Sequence, residues 1–252
     1  MKSGFTLLEL LIVISIIGLL SSIVLVTYPT AVEKAHIAKT LQWSASVNHL
    51  LGVDAVGVWT FDNIQGTTVY DDSGYNNNGT IVGAAVVDGV MGKALNFGGS
   101  NAYVVTPAKL GAVSTITAWA KTTVAGRMLW CIDHDNRGPD LYFACGQILL
   151  NTWDSCSNPF CAIPASALDN NWHHYAVVIA PGNTKLYFDS KLCGIANYKD
   201  PTGTSFYISS GAGYDWNGQI DDVRIFKEAY TQAQVQQLYA QGLPAHQPLT
   251  QH

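Results

Sequence analysis

Hydrophobic positions divide the chain into two patterns. Residues 5–26 read FTLLELLIVISIIGLLSSIVLV, twenty-two positions with one charge, Glu9. As an α-helix at ~1.5 Å per residue this run spans about 33 Å, enough to cross a bilayer core. Lys2 precedes it and predicts a cytoplasmic N-terminus, a single pass, and a long remainder outside the inner membrane. Ala31, Ala35, Ala38 and Leu41 keep helical spacing, so the helix is expected over 5–52, with Gly18 and Pro29 as weak points. From residue 53 the period changes. Short apolar runs alternate with Gly, Asn, Asp and Ser clusters, the pattern of an all-β sandwich over 53–242. Strands are predicted at 56–61, 94–97, 103–106, 114–121, 128–133, 141–145, 173–179, 185–188, 206–210 and 221–226. On 114–121, Ile116 and Ala118 share one face and Trp119 takes the other, so both faces are partly apolar. A late helix is expected after the capping box Thr231–Gln234, with Val235, Leu238 and Tyr239 as its stripe and Gly242 with Pro244 as its stop. Residues 243–252 read as a loose tail. The fold class is therefore mostly β, behind a long hydrophobic N-terminal helix.

Glu9 is what a simple anchor does not explain. An unpaired carboxylate in hydrocarbon costs roughly 2.5–3.5 kcal/mol or more, and this one lies one turn inside the apolar run. A secretory signal has a shorter run and a small-x-small cleavage site, and none is clear here. The residues Lys2-Ser3-Gly4-Phe5-Thr6-Leu7-Leu8-Glu9-Leu10 closely resemble the class III signal of type IV prepilins and pseudopilins. The resemblance covers about 25 residues. It implies a leader over 1–4, cleavage after Gly4 by the prepilin peptidase, and N-methylation of Phe5. It also implies that Glu9 pairs with the N-terminal amine of a neighbouring subunit during filament assembly, which neutralises both charges in an apolar filament core.

The β region resembles the laminin-G-like jelly roll of the concanavalin A-like lectin/glucanase fold. The matching pieces are Val58-Trp59-Thr60-Phe61-Asp62, Asp72-Ser73-Gly74, Asn78-Gly79, Gly92-Lys93-Ala94-Leu95-Asn96-Phe97, Ile116-Thr117-Ala118-Trp119, Asn171-Trp172-His173-His174-Tyr175, Lys185-Leu186-Tyr187-Phe188-Asp189 and Asn217-Gly218-Gln219-Ile220-Asp221-Asp222-Val223-Arg224-Ile225. They keep the family's order over about 55–240. One departure is Ser190, where a glycine usually follows the aspartate. Serine there needs another turn type or strains a positive-φ position.

Composition narrows the chemistry. Thirteen Lys+Arg against eighteen Asp+Glu, net charge −5, with no basic stripe, exclude a nucleic-acid partner. Glutamate occurs only at positions 9, 33 and 228, so the Glu-x-Asp-x-x-Glu arrangement of glucanases of this fold is absent and no enzyme is expected. His173 and His174 are adjacent on one strand and face opposite ways, which argues against a zinc pair. The resemblance implies a structural calcium between the first strand region and a late strand, and Asp62, Asp72, Asn78 and Asp221 are its candidate ligands. Asp221 alternates with Val223 and Ile225, so a regular strand turns it inward; the alternative is that backbone amides or Arg224 hold it. Sugar binding needs exposed aromatics, and Trp130, Trp153, Tyr214 and Trp216 are the candidates, with Trp59, Trp119 and Trp172 left to packing. Cys131–Cys145 and Cys156–Cys161 are the favoured disulfides in an oxidising compartment, Cys193 being left over; buried reduced thiols are the alternative. Taken together these features predict a type IV pilin-like subunit that displays a lectin-like domain for adhesion to glycan or protein. Its partners are other pilin subunits, the prepilin peptidase and the inner membrane. The rival readings are a minor pilin or secretion-system pseudopilin with a priming or tip role, and a membrane-anchored lectin that never polymerises.

Overall fold

A computed structural model describes residues 7–8, 10–16, 54–132, 140–150, 159–197, 204–209 and 213–243. The chain divides into two compact units, Met1–Leu50 and Leu51–His252. In the first, residues 7–8 and 10–16 are helical, and Leu7, Leu8, Leu10, Leu11, Ile12 and Ile14 are exposed. No helix of the described residues is long and apolar enough to cross a membrane. That helix is described at nine positions, less than half of the apolar run at 5–26.

The described residues of the second unit hold seventeen strands. In chain order they are β1 (Ala55–Trp59), β2 (Ile64–Gln65), β3 (Thr68–Val69), β4 (Gly79–Val82), β5 (Ala85–Asp88), β6 (Lys93–Gly98), β7 (Tyr103–Thr106), β8 (Ser114–Thr122), β9 (Arg127–Ile132), β10 (Leu141–Ala144), β11 (Gln147–Leu150), β12 (Pro159–Ala162), β13 (His173–Ile179), β14 (Thr184–Phe188), β15 (Lys191–Ala196), β16 (Phe206–Ile208) and β17 (Asn217–Phe226). One sheet has eight strands in the order β15-β14-β13-β8-β17-β6-β5, with β1 also paired to β17. The other has nine, in the order β12-β11-β10-β9-β16-β7-β4-β3-β2. The named pairings are antiparallel. Every one of the ten predicted segments is a strand.

The two sheets pack face to face. Ile116, Ala118 and Ala120 of β8 join Val177 and Ile179 of β13 in one apolar cluster with Phe206 and Ile208 of β16 and Leu141 and Phe143 of β10. Phe143 meets Tyr175 edge-on across the interior, with ring centroids 5.5 Å apart. Trp59 stacks on Phe206 at 6.0 Å, and its Nε1 donates to the Asn77 carbonyl at 3.1 Å, which satisfies the indole's one polar atom.

β8 is buried along almost its whole length because both of its faces are covered. Its second face carries Trp119, opposite His174 of β13. The C-terminal helix Gln232–Gly242 closes over them. Tyr239 stacks on Trp119 at 5.6 Å, and His174 lies 5.2 Å from the same indole. The capping box forms as the sequence predicts: Thr231 N donates to Gln234 Oε1 at 2.8 Å, and Gln234 N donates to Thr231 Oγ1 at 3.4 Å. Gly242 serves a close approach rather than a stop, since Leu243 follows it in the right-handed helical conformation. It keeps an ordinary backbone, and a Cβ added there would stand 2.5 Å from the Trp119 ring. The glycine is what lets the helix reach the indole.

β17 carries a bulge between Asp221 and Arg224 where it pairs with β8. Ile220 and Val223 both face the core, which an unbroken period of two forbids. The extra residue is Asp222, held at φ 46°. Between β14 and β15 the chain turns in two residues, Asp189 at φ 46° and Ser190 at φ 65°. Positive φ at both positions is the type I′ pattern, so Ser190 keeps the tight turn and accepts the strain, one of the two options open to a serine there.

The disulfides differ from those expected. Cys161 of β12 bonds to Cys193 of β15, with Cα atoms 5.8 Å apart. This bridge joins the edge strand of one sheet to the edge strand of the other. Cys161 is therefore not bonded to Cys156, which lies outside the described residues. Cys145 is also in a disulfide, and Cys131 is a buried thiol. A Cys131–Cys145 bridge is excluded by register. Trp130 stands opposite Leu141, so Cys131 is at one end of the β9–β10 ladder and Cys145 beyond the other. Four strand residues lie between the two levels, a separation of about 16 Å at ~3.3 Å per residue, more than twice the Cα span of a disulfide.

Three substitutions probe these features. Gly242→Ala is expected to destabilise the domain by about 1–3 kcal/mol, because the methyl group must displace Trp119 or lift the helix. Ser190→Gly is expected to stabilise the domain by about 1 kcal/mol, since a non-glycine αL residue costs about 1–2 kcal/mol and the added chain entropy of glycine offsets part of that gain. His174 is buried, and desolvation lowers its pKa to about 3. The unfolded histidine takes its proton near its ordinary value of about 6.5, so stability drops as pH falls from there toward the folded value. His174→Phe is expected to remove a loss of roughly 1 kcal/mol per pH unit in that window. Urea titrations of the full chain in detergent micelles at pH 7 and pH 5.5 measure all three.

Candidate functional site

The four proposed calcium ligands divide between two turns. Asp62 and Asp221 hold the turn between β5 and β6. Asp221 Oδ2 accepts from Val90 N at 2.8 Å and Met91 N at 3.0 Å, and its Oδ1 accepts from Asp222 N at 2.6 Å. Asp62 Oδ1 accepts from Lys93 N at 2.7 Å. Burial pushes the Asp221 carboxyl up to about 7, against the pull of the three amides. Arg224 pairs with Asp222, at 2.8 Å, rather than with Asp221. The second turn follows β3. Asp72 Oδ2 accepts from the Thr60 hydroxyl at 2.8 Å, and Asn78 Oδ1 accepts from Asp71 N at 2.9 Å. Its organiser is Asp71, a residue outside the candidate ligands. The buried Asp71 carboxylate accepts from Val58 N, Ser73 N and Asn77 N, each at 2.9 Å, and from the Ser73 hydroxyl at 2.8 Å.

The structure places these residues on two separate turns and gives each of them a partner within the chain. Asp221 Oδ2 has both lone-pair directions filled by N–H donors. Among the described residues no group of three or more His, Cys, Asp or Glu side chains could hold a metal ion. The amides do for Asp221 what a cation would otherwise do.

The proposed stacking aromatics are also redistributed. Trp130 and Trp216 are 1% and 0% exposed and serve the core, so neither can stack on a ligand. Trp216 meets Phe143 edge-on at 5.2 Å. Tyr214 is 38% exposed and packs edge-on against Tyr142 at 5.5 Å. Trp153 lies outside the described residues, as do Gly4, Phe5 and Glu9.

An aromatic that the sequence motif leaves to packing is instead at the surface. Trp172 is half-buried at the entry to β13, on the wall of a cleft of about 430 Å³. Its floor is Trp119, and the C-terminal helix supplies the opposite wall through Tyr239 and Leu243. Lys121 shares the outer face of β8 with Trp119 and sets its ammonium 5.0 Å from the centroid of the Trp172 ring, a cation–π contact. Asn170 and Asn171 are exposed on the rim.

A three-residue bridge holds this rim. His173 Nδ1 lies 2.7 Å from Asp189 Oδ2, and its Nε2 lies 3.2 Å from Asp169 Oδ1. Burial lowers the His173 pKa, but the hydrogen bonds and charge of Asp189 and Asp169 outweigh it and leave the value raised. As an imidazolium His173 donates to both carboxylates. It thereby ties the turn before β13 to the strained hairpin at Asp189 and Ser190. Asp189 Oδ1 also accepts from His174 N at 3.0 Å, and Asp169 Oδ1 accepts from Asn171 N at 2.7 Å. The run Asn170-Asn171-Trp172 was the available signal, since two turn-forming residues put the tryptophan at a strand mouth rather than within a strand.

Residues 97–236, more than half of the chain, match the family described as the concanavalin A-like lectin/glucanases superfamily. Residues 1–25 match the prokaryotic N-terminal methylation motif. The chain is 32% identical over 92 residues to the fimbrial protein EcpC of Eikenella corrodens, across 36% of this chain and 60% of that protein. It thus spans less than two thirds of that relative. Among solved structures, the ligand-binding domain of botulinum neurotoxin serotype D in complex with N-acetylneuraminic acid is similar at a TM-score of 0.59 and 14% identity, over 77% of this chain and 52% of that one. Domain 4 of AbnA, an extracellular arabinanase from Geobacillus stearothermophilus, in complex with arabinotriose, is similar at a TM-score of 0.55 and 20% identity, over 74% and 98%. The binding domain of Paraclostridial Mosquitocidal Protein 1 is similar at 0.58 and 15%, over 75% and 52%. At these identities the likeness is one of fold. The chain belongs to the concanavalin A-like lectin/glucanases superfamily and begins with a prokaryotic N-terminal methylation motif.

Proposed function

We propose that this protein is a type IV pilin-like filament subunit, held in the inner membrane before assembly, that displays a lectin-like domain for adhesion to a glycan. The observation that carries the reading is the join itself: a methylation motif at 1–25 and a lectin-like sandwich in one chain. The likeness to a fimbrial protein supports the filament half. The sialic acid and arabinotriose complexes of two domains of the same fold support the glycan half. The exposed Leu and Ile side chains over residues 7–16 suit a helix that buries them against lipid first and against other subunits later. Prepilin peptidase is the processing partner, cutting after Gly4 and leaving Phe5 as the methylated terminus. Glu9 then offers a carboxylate to the new amine of a neighbour, and each group relieves the other's cost of burial in the filament core. The bulk of the sandwich favours a rare or tip subunit over the main repeating one, because every added subunit must fit around the helical core.

Filaments sheared from a piliated host expressing the chain test this. The mature subunit is expected to begin at N-methylated Phe5, and Glu9→Ala is expected to be processed yet absent from the sheared fraction. Normal assembly of Glu9→Ala would sink the pairing role. Processing without any filament-associated protein would leave a membrane-anchored lectin instead.

A further inference from the structure

We propose that the cleft between Trp172 and the C-terminal helix is the glycan site, and that it takes a neutral, hydroxyl-rich sugar ring seated on the Trp172 indole. This rests on the lectin reading above and names its site and ligand class. The cleft volume of about 430 Å³ lies within the ordinary range of small-ligand pockets. Its surfaces divide as a sugar's do. The indole of Trp172 and the ring of Tyr239 present apolar faces for the C–H face of a ring. Asn170 and Asn171 each bring one acceptor and two donors for paired hydroxyls, and Lys121 adds a donor beside the indole.

Three features mark the cleft as built rather than incidental. Trp172 is a large aromatic left half-exposed, although both neighbouring strand positions, His173 and His174, are buried. Asn170 at φ 65°, Asp189 at φ 46° and Ser190 at φ 65° are non-glycine residues in the left-handed region, and all three lie on the two turns that border the cleft. Such strain gathers at binding and catalytic sites, where a fixed geometry is worth its cost. The Asp169–His173–Asp189 bridge then locks those two turns together, so little ordering remains for a ligand to impose.

Charge selects the ligand class. Lys121 and His173 stand against two carboxylates, Asp169 and Asp189, so the cleft has no excess of positive charge to attract an anion. The Asp189 carboxylate lines the cleft and repels an acidic sugar. The hydrogen-bonding side chains that line the cleft beside the indole are the amides of Asn170 and Asn171 and the Lys121 ammonium, which can donate to and accept from neutral hydroxyls.

The test uses the full chain in detergent micelles on an array of neutral and acidic glycans, followed by titration of the strongest hit. Wild type is expected to bind neutral glycans. Trp172→Ala is expected to lose at least about tenfold in affinity, Asn171→Ala several-fold, and Tyr214→Ala, at an exposed aromatic outside the cleft, nothing. Circular dichroism shows whether each variant folds; if Trp172→Ala does not, Asn171→Ala and Lys121→Gln decide. Wild-type binding that survives these substitutions overturns the site and leaves the lectin reading standing. Binding confined to acidic glycans overturns the ligand class. Absence of wild-type binding across the array removes the glycan reading and this proposal with it.

Discussion

The second face of β8 has to be covered. A strand at the centre of an eight-stranded sheet buries one face in the sandwich by construction, but here the other face also carries an indole, Trp119. Left in water it would waste roughly 1.5–3 kcal/mol of burial. The chain answers with an eleven-residue helix whose last residue is a glycine, close enough to the ring that no side chain fits. Tyr239 comes along on the same helical face and stacks on the indole. The helix that covers Trp119 therefore also builds one wall of the cleft. Packing and candidate function share a single contact, so the geometry of the cleft is only as firm as that helix.

The turns at the rim of the sandwich are held by a recurring device. Asp71, Asp140, Asp215 and Asp221 are all buried, and each accepts at least one backbone N–H across a loop: Val58 and Asn77 for Asp71, Ile132 for Asp140, Asn101 for Asp215, Val90 and Met91 for Asp221. Charge-assisted bonds of this kind are about twice as strong as neutral ones. They explain how a chain with only 12% charged residues keeps long irregular connections in place. They also change the meaning of acidic residues in the sequence. Aspartates in turns that suggest cation ligands in the sequence here also accept from the chain's own amides.

Most of the longer buried strands were legible, although the four-residue strands Gly79–Val82 and Gln147–Leu150 were not. All ten predicted strands exist, because a core strand must show alternation or a continuous apolar run. The strands not foreseen include those at the ends of the two sheet orders, β5, β15, β12 and β2. Edge strands owe their shape to a neighbour's hydrogen bonds and need no apolar pattern of their own; Ala85–Asp88 is largely exposed, and Pro159–Ala162 begins with a proline. The cleft was half legible. The Asn170-Asn171-Trp172 run and Asp189 are visible in the sequence, but the tryptophan's place in a motif points to packing. The bulge at Asp222 hides the true setting of Asp221 in the same way, since strict alternation points that residue inward alongside Val223.

Local chemistry is enough to set a long apolar run with one carboxylate, its methylation motif, the helix cap at Thr231 and Gln234, and a β domain with almost no glutamate. Each of these depends on residues close together in the chain, so the sequence alone carries it. Folding in three dimensions chose that Cys161 bonds Cys193 and that the Asp221 carboxylate is met by Val90 and Met91. It also brought Lys121, Trp172 and Tyr239 to one cleft. Those partners lie between 32 and 131 positions apart, and which distant residues meet is set by strand order, register and one bulge. A one-residue shift in any of these turns a side chain from the core to the surface, and no local pattern records that choice.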